Sequence, residues 1–95
     1  MRRGEVYWAE LELRSGSEQR GRRPVVVVSH DGFNAIPTWR SVVVVPLSTS
    51  TARTGPTAIG IPAGAGGLGR ASVALCHQVT TLDRAKLSKR VGSLS

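Results

Sequence analysis

Arg20, Arg22 and Arg23 fall within four positions of residues 17–31, SEQRGRRPVVVVSHD, and a proline and four valines follow at once. A guanidinium is planar, stays charged, and forks onto two oxygens of a phosphate or carboxylate. A core strand does not need three such groups at its mouth, so the pattern points to a negatively charged ligand. Other reactive side chains are few. His30 and His77 are the two histidines, and histidine is the usual general base near neutral pH. Two could form an acid/base pair, but His30 follows a strand and His77 sits within one, where a surface or groove role competes. Cys76 is the sole cysteine and lies in an apolar run. It has no partner for a disulfide within the chain and reads as a buried, inert thiol. CxxC and His/Cys metal spacings are absent, so no metal or cofactor is expected.

The totals agree with the local pattern. Thirteen basic residues face six acidic ones, the net charge is +7, and eleven of the thirteen are arginine. A small domain so charged suggests a nucleic-acid partner, with an acidic protein as the second class and solubility alone as the plain alternative. Ninety-five residues make one domain with one small core. A homodimer would add stability. The start, MRRGEVYW, lacks the apolar segment of a signal peptide. No apolar run approaches ~20 residues, so no membrane span is expected. A cytoplasmic location follows.

These residues need a scaffold, and the scaffold reads as β. Residues 4–13 alternate in part and predict a first strand, with Val6 and Trp8 inward and Leu11 and Leu13 as further candidates. Residues 14–22 read as a loop. Residues 24–29 predict a second strand, which Pro24 can only open or join at an edge, because it has no N–H for the ladder. Unbroken valines imply burial on both faces. A turn-rich stretch, 30–39, leads to a third strand at 41–48, where Pro46 suggests a bulge or an edge. Residues 57–62 predict a fourth strand, and a glycine-rich link, 63–70, leads to a fifth over 71–82. Asp83 can cap one turn. A short last strand follows. Five or six short strands with almost no helical period predict a small, strongly bent barrel. Phe33 and Trp39, between the valine strands, could stack on unpaired bases or pack at a dimer contact.

At this point the chain resembles a known family. GSEQRGRRP at 16–24 leads straight into VVVV; VPLS follows at 45–48, then ASVALCHQV and TTLDRAKLSKRVGSL. Together these resemble the MazF/PemK toxins of bacterial toxin–antitoxin systems over nearly the whole chain. The resemblance implies a mainly-β fold, a small SH3-like twisted barrel of the MazF/CcdB type with short helical segments, usually homodimeric. It implies metal-independent, sequence-specific cleavage of single-stranded RNA by its own 2′-hydroxyl, leaving 2′,3′-cyclic phosphate and 5′-hydroxyl ends. It implies a MazE-like antitoxin partner. Residue by residue, the family's catalytic arginine falls on Arg23 and its catalytic threonine on Ser48, a departure that keeps the hydroxyl and drops the methyl. Thr49 is held in reserve, because a strand neighbour faces the other way. Ser17, Glu18 and Gln19 match the family's mobile loop, and Gln78 a position near the RNA groove. Family members usually continue past GSLS into a C-terminal helix that residues 1–95 do not include.

Arg23 suits the task of holding charge on a phosphorane, since a fixed guanidinium gains strength where water is excluded. As a general base it is harder to accept, because a guanidinium stays protonated; it could serve as general acid or share protons through a water, and no base is assigned. Arg20 and Arg22 read as phosphate contacts or as solvated loop residues, and His30 as a possible RNA contact. Glu18 reads better as a partner that orders the loop. The competing function is a binder without chemistry: a CcdB-like toxin that holds DNA gyrase, or a basic module that coats nucleic acid.

Overall fold

The computed structural model describes residues 1–11, 21–49 and 55–94. Its strands are β1 Glu5–Leu11, β2 Gly21–Val27, β3 Ser41–Ser48, β4 Ala58–Ile61, β5 Ser72–Leu75, β6 Thr80–Asp83 and β7 Leu87–Ser93. All pair antiparallel, in the order β4-β5-β3-β2-β1-β7, with β6 also on β3. The sheet is barrel-like and twisted without closing, as expected for an SH3-like form. One short helix, α1 Asp31–Asn34, and three single 3-10 turns complete it.

The valine runs are buried on both faces. Val25, Val27, Val42 and Val44 pack on one side with Ala9, and Val26, Val45, Leu47 and Val6 on the other. Burying one such side chain contributes roughly 1.5–3 kcal/mol. These strands are therefore the thermodynamic centre of the molecule.

Three expectations change. The strand expected over 71–82 is two strands, β5 and β6, parted by a 3-10 turn at Cys76–Gln78. β3 pairs with β6 up to Val44 and with β5 from Leu47. Pro46 sits between those two ladders, where a missing N–H costs least. Pro24 does not open β2, which begins at Gly21. It lies within β2 opposite Trp8, just before the β2–β3 ladder starts at Val25. Arg22 and Arg23 are thus strand residues rather than loop residues, paired with Glu10 and Ala9. Leu13 lies outside the described residues. Asp83 caps the turn Arg84–Lys86 as expected, accepting from the Ala85 amide at 2.8 Å.

Two valine runs pair equally well in neighbouring registers, because a slip by one still sets valine against valine. Something else must choose. Asn34 is 1% exposed. Its carbonyl accepts from Ser29 Oγ at 2.6 Å, and its amide donates to the Ser29 carbonyl at 2.7 Å and to Asp31 Oδ1 at 3.1 Å. The Val28 amide donates to Val43 O at 2.9 Å, directly beyond the ladder. The connection is locked at the point where β2 leaves for β3. Asn34→Ala removes the bonds that this buried side chain makes to half-buried Ser29 and exposed Asp31. It should destabilise the fold by about 1–3 kcal/mol, read as a lower urea midpoint.

Candidate active site

The β2–β3 ladder ends at Val25–Pro46. Beyond it, residues 21–24 pair only with β1, and Leu47 and Ser48 only with β5. The two strands part company there. Continued two residues further, the register sets Arg23 opposite Ser48. Both line one cavity of about 260 Å³. Residues 25 positions apart in sequence are brought together by one ladder.

The cavity has an apolar floor and a cationic rim. Leu47 and Leu68 are buried, and Trp8 and Pro24 half-buried. Arg23 and Arg70 are exposed at the rim, while Ser48 is half-buried. No acidic residue stands among the described residues of its lining. Thr49 also lines it. β3 ends at Ser48, so strand alternation no longer turns Thr49 away. Both residues therefore line the cavity.

The far wall comes from the glycine-rich link, folded against β7. Gly67 has φ +77°, and a Cβ there would run into the Val91 carbonyl. A Cβ on Gly92 would meet the Gly66 carbonyl. Only glycines permit this backbone-to-backbone approach.

Trp8, expected in the core, is a wall of the cavity instead. The Arg22 guanidinium carbon lies 5.2 Å from its ring centre. Strand β7 is irregular at this point. Tyr7 pairs with Arg90 and Ala9 with Leu87, so Ser88 and Lys89 together face the single residue Trp8. Such a bulge re-aims side chains. Ser88 Oγ donates to the Trp8 carbonyl at 3.3 Å.

Other expected residues lie elsewhere. His30 caps α1 through Nδ1, which accepts from the Gly32 amide at 2.8 Å. It stands at the opposite end of β2 from Arg23. Gln78 lies on the turn between β5 and β6, 3.3 Å from His77 Nε2, and His77 shares a 3.1 Å hydrogen bond with Thr57. Neither His30 nor Gln78 lines the cavity. Ser17, Glu18, Gln19 and Arg20 lie outside the described residues. Phe33 and Trp39 stack on each other, centroids 5.2 Å apart, and stay about half exposed. Cys76 is a half-buried free thiol. Among the described residues, no group of three His, Cys, Asp or Glu is placed to hold a metal ion, and no helix is long and apolar enough to cross a membrane.

Residues 2–95 match the family described as PemK-like, MazF-like toxin of type II toxin-antitoxin system. The chain belongs to this family. It is 35% identical over 92 residues to endoribonuclease MazF6 of Mycobacterium tuberculosis, covering 97% of this chain and 81% of that one. It is also 35% identical over 94 residues to endoribonuclease EndoA of Bacillus subtilis, covering 99% and 80%. Its fold is similar to that of a mycobacterial endoribonuclease solved with its cognate antitoxin: TM-score 0.72, 23% identity, 100% of this chain and 77% of that one.

In this MazF-like chain, Arg70 and the glycine wall went unread in the sequence, as did the place of Trp8. Arg70 carried a signal, since it closes the glycine run as a lone cation. Trp8 carried none, because its placement depends on a bulge in a strand 80 residues away.

The strand behind that wall is held by charge. Glu5 Oε2 accepts from Arg90 Nε at 2.6 Å, and Oε1 accepts from the Arg2 amide at 2.6 Å and from Tyr7 Oη at 3.1 Å. Burial opposes ionisation of Glu5, but these hydrogen bonds outweigh it and hold the carboxyl below its ordinary range. A carboxylate with a lowered folded pKa stabilises fully above its unfolded value, about 4.3. That contribution is lost as pH falls through the lower folded value. Glu5→Gln should therefore be less stable than the parent at pH 7 and nearly equal to it near pH 2, measured by denaturant unfolding across pH.

Proposed function

We propose that this MazF-like chain is an endoribonuclease toxin that cuts single-stranded RNA at a short preferred sequence without a metal. The observation that carries the reading is the meeting of Arg23 and Ser48 at one cavity mouth. In the proposed reaction the substrate's 2′-oxygen loses its proton and bonds to the adjacent phosphorus. The bond from phosphorus to the 5′-oxygen breaks, and that oxygen takes up a proton. The products are a 2′,3′-cyclic phosphate and a 5′-hydroxyl. Arg23 forks onto the phosphorane oxygens, and the Ser48 hydroxyl donates a further hydrogen bond. The apolar floor excludes water and strengthens both.

Arg22 and Arg70 extend the cationic rim along the backbone. Arg20, with Ser17, Glu18 and Gln19, contacts RNA from the segment before β2, and His30 and Gln78 contact it further out. Residues 1–95 act as one toxin domain, paired in a homodimer, in the cytoplasm where its substrate is. A similar endoribonuclease has been solved with its cognate antitoxin. The +7 charge of this chain supports a MazE-like partner with an acidic segment.

A long single-stranded RNA incubated in excess EDTA tests the reading. Discrete fragments with cyclic-phosphate and 5′-hydroxyl ends are expected. Intact RNA from folded protein would overturn it and leave a binder. Arg23→Ala should slow cleavage by about 10²–10³-fold with its melting temperature unchanged. Ser48→Ala should slow it strongly, and Ser48→Thr should keep it.

Salt dependence tests the rim. On a non-cleavable RNA carrying 2′-deoxyribose at the cut, each phosphate contact adds about −0.7 to the slope of log affinity against log salt. Arg70→Gln should reduce the parent's slope by about that one contact.

A further inference from the structure

We propose that Trp8 is the seat of one unpaired nucleobase beside the cut phosphate. The inference rests on the reading of the cavity as an RNA site and names a subsite within it. Four observations carry it. Trp8 lines the same cavity as Arg23 and Ser48. It is half-buried, so an apolar surface is left facing the opening. The bulge at Ser88 and Lys89 holds the strand irregular at this one residue. Finally, a guanidinium already lies on the ring, 5.2 Å from its centre.

Together they point to a flat ligand face, since a planar guanidinium already packs on this ring. Bases stack on aromatic rings and on arginine planes whatever their sequence, and the contact is sequence-tolerant. The facing wall leaves room, since a Cβ on Gly69, also in the lining, would meet nothing within 4 Å. At about 260 Å³ the cavity falls below the range that takes a drug-sized ligand. It suits one base.

Arg22 is not among the residues that line the cavity. Its guanidinium lies 5.2 Å from the ring centre and supports the indole that the base would meet.

The probe is a ten-nucleotide single-stranded RNA spanning a mapped cut, with 2′-deoxyribose at the attacking position. Should the RNA of the preceding test stay intact, decauridylate replaces it, and the seat is then read from the loss of affinity in Trp8→Leu, where unchanged affinity overturns the proposal. One base at a time is replaced by an abasic spacer. In the parent, one position next to the cut should lose about 5- to 100-fold in affinity, the usual worth of one stacked base. Trp8→Leu should bind the intact probe more weakly by a similar factor and lose the penalty at that position alone. Trp8→Phe should restore it. A spacer penalty in folded Trp8→Leu that matches the parent's at every position would overturn the proposal. A second reading needs no change at Trp8. In Trp39→Phe, Trp8 is the remaining tryptophan; its fluorescence should be quenched by the intact probe and not by the probe lacking that base. Equal quenching by both would also overturn it.

Discussion

The pairing of two valine runs in one register, out of several that valine alone would accept, underlies the rest of the structure. Val25–Pro46, Val26–Val45 and Val27–Val44 are the pairs that define it. If they shifted by one residue, the core would still be valine on valine. Arg23 would no longer stand opposite Ser48. The apolar residues supply the energy and the polar ones supply the choice. Asn34, fully buried and bonded to Ser29 and Asp31, anchors the connection from which the register is counted. The two prolines sharpen it, each lying where a neighbouring ladder begins or changes partner. A side chain far from the cavity thus decides what meets at its mouth.

The cavity itself arises from a mismatch between strand lengths and pairings. β2 continues past the end of its ladder with β3, and β3 continues past it towards β5. The opening is the space between two strands that share a core and then take different neighbours. This explains why cations and a hydroxyl gather there. Arg23 is exposed and Ser48 half-buried, and both are stiffened by the buried valines one step behind. Electrostatic stabilisation of a transition state requires such stiffness, because donors that must reorganise lose most of their worth.

Much of this was legible in the residues. The doubly buried strands followed from unbroken valine, and the cap at Asp83 from its side-chain chemistry. Arg23 and Ser48 came from the motif GSEQRGRRP and the later VPLS, and the ladder brings the two to one cavity. Family and fold agree with the resemblance read there. What was not legible depended on strand irregularity. The split at Cys76–Gln78 lies inside an apolar run whose composition is that of a single strand. The place of Trp8 depends on which residues of β7 pair and which bulge. Pattern reports which residues are apolar; it does not report that two backbones approach at Gly67 and Gly92 closely enough to build a wall.

That wall has a consequence in time. Val91 and Gly92 belong to the last strand, and β1, the first, pairs with it. Domains assemble from the N-terminal side as they leave the ribosome, and pairings distant in sequence form late. A nascent chain can therefore set Arg23 against Ser48 while the glycine link still has nothing to dock on. The side of the cavity that holds Trp8 in place is completed only once β7 has emerged. During its own synthesis, this protein spends its exposed interval with Arg23 and Ser48 already opposed and the enclosure around them still open.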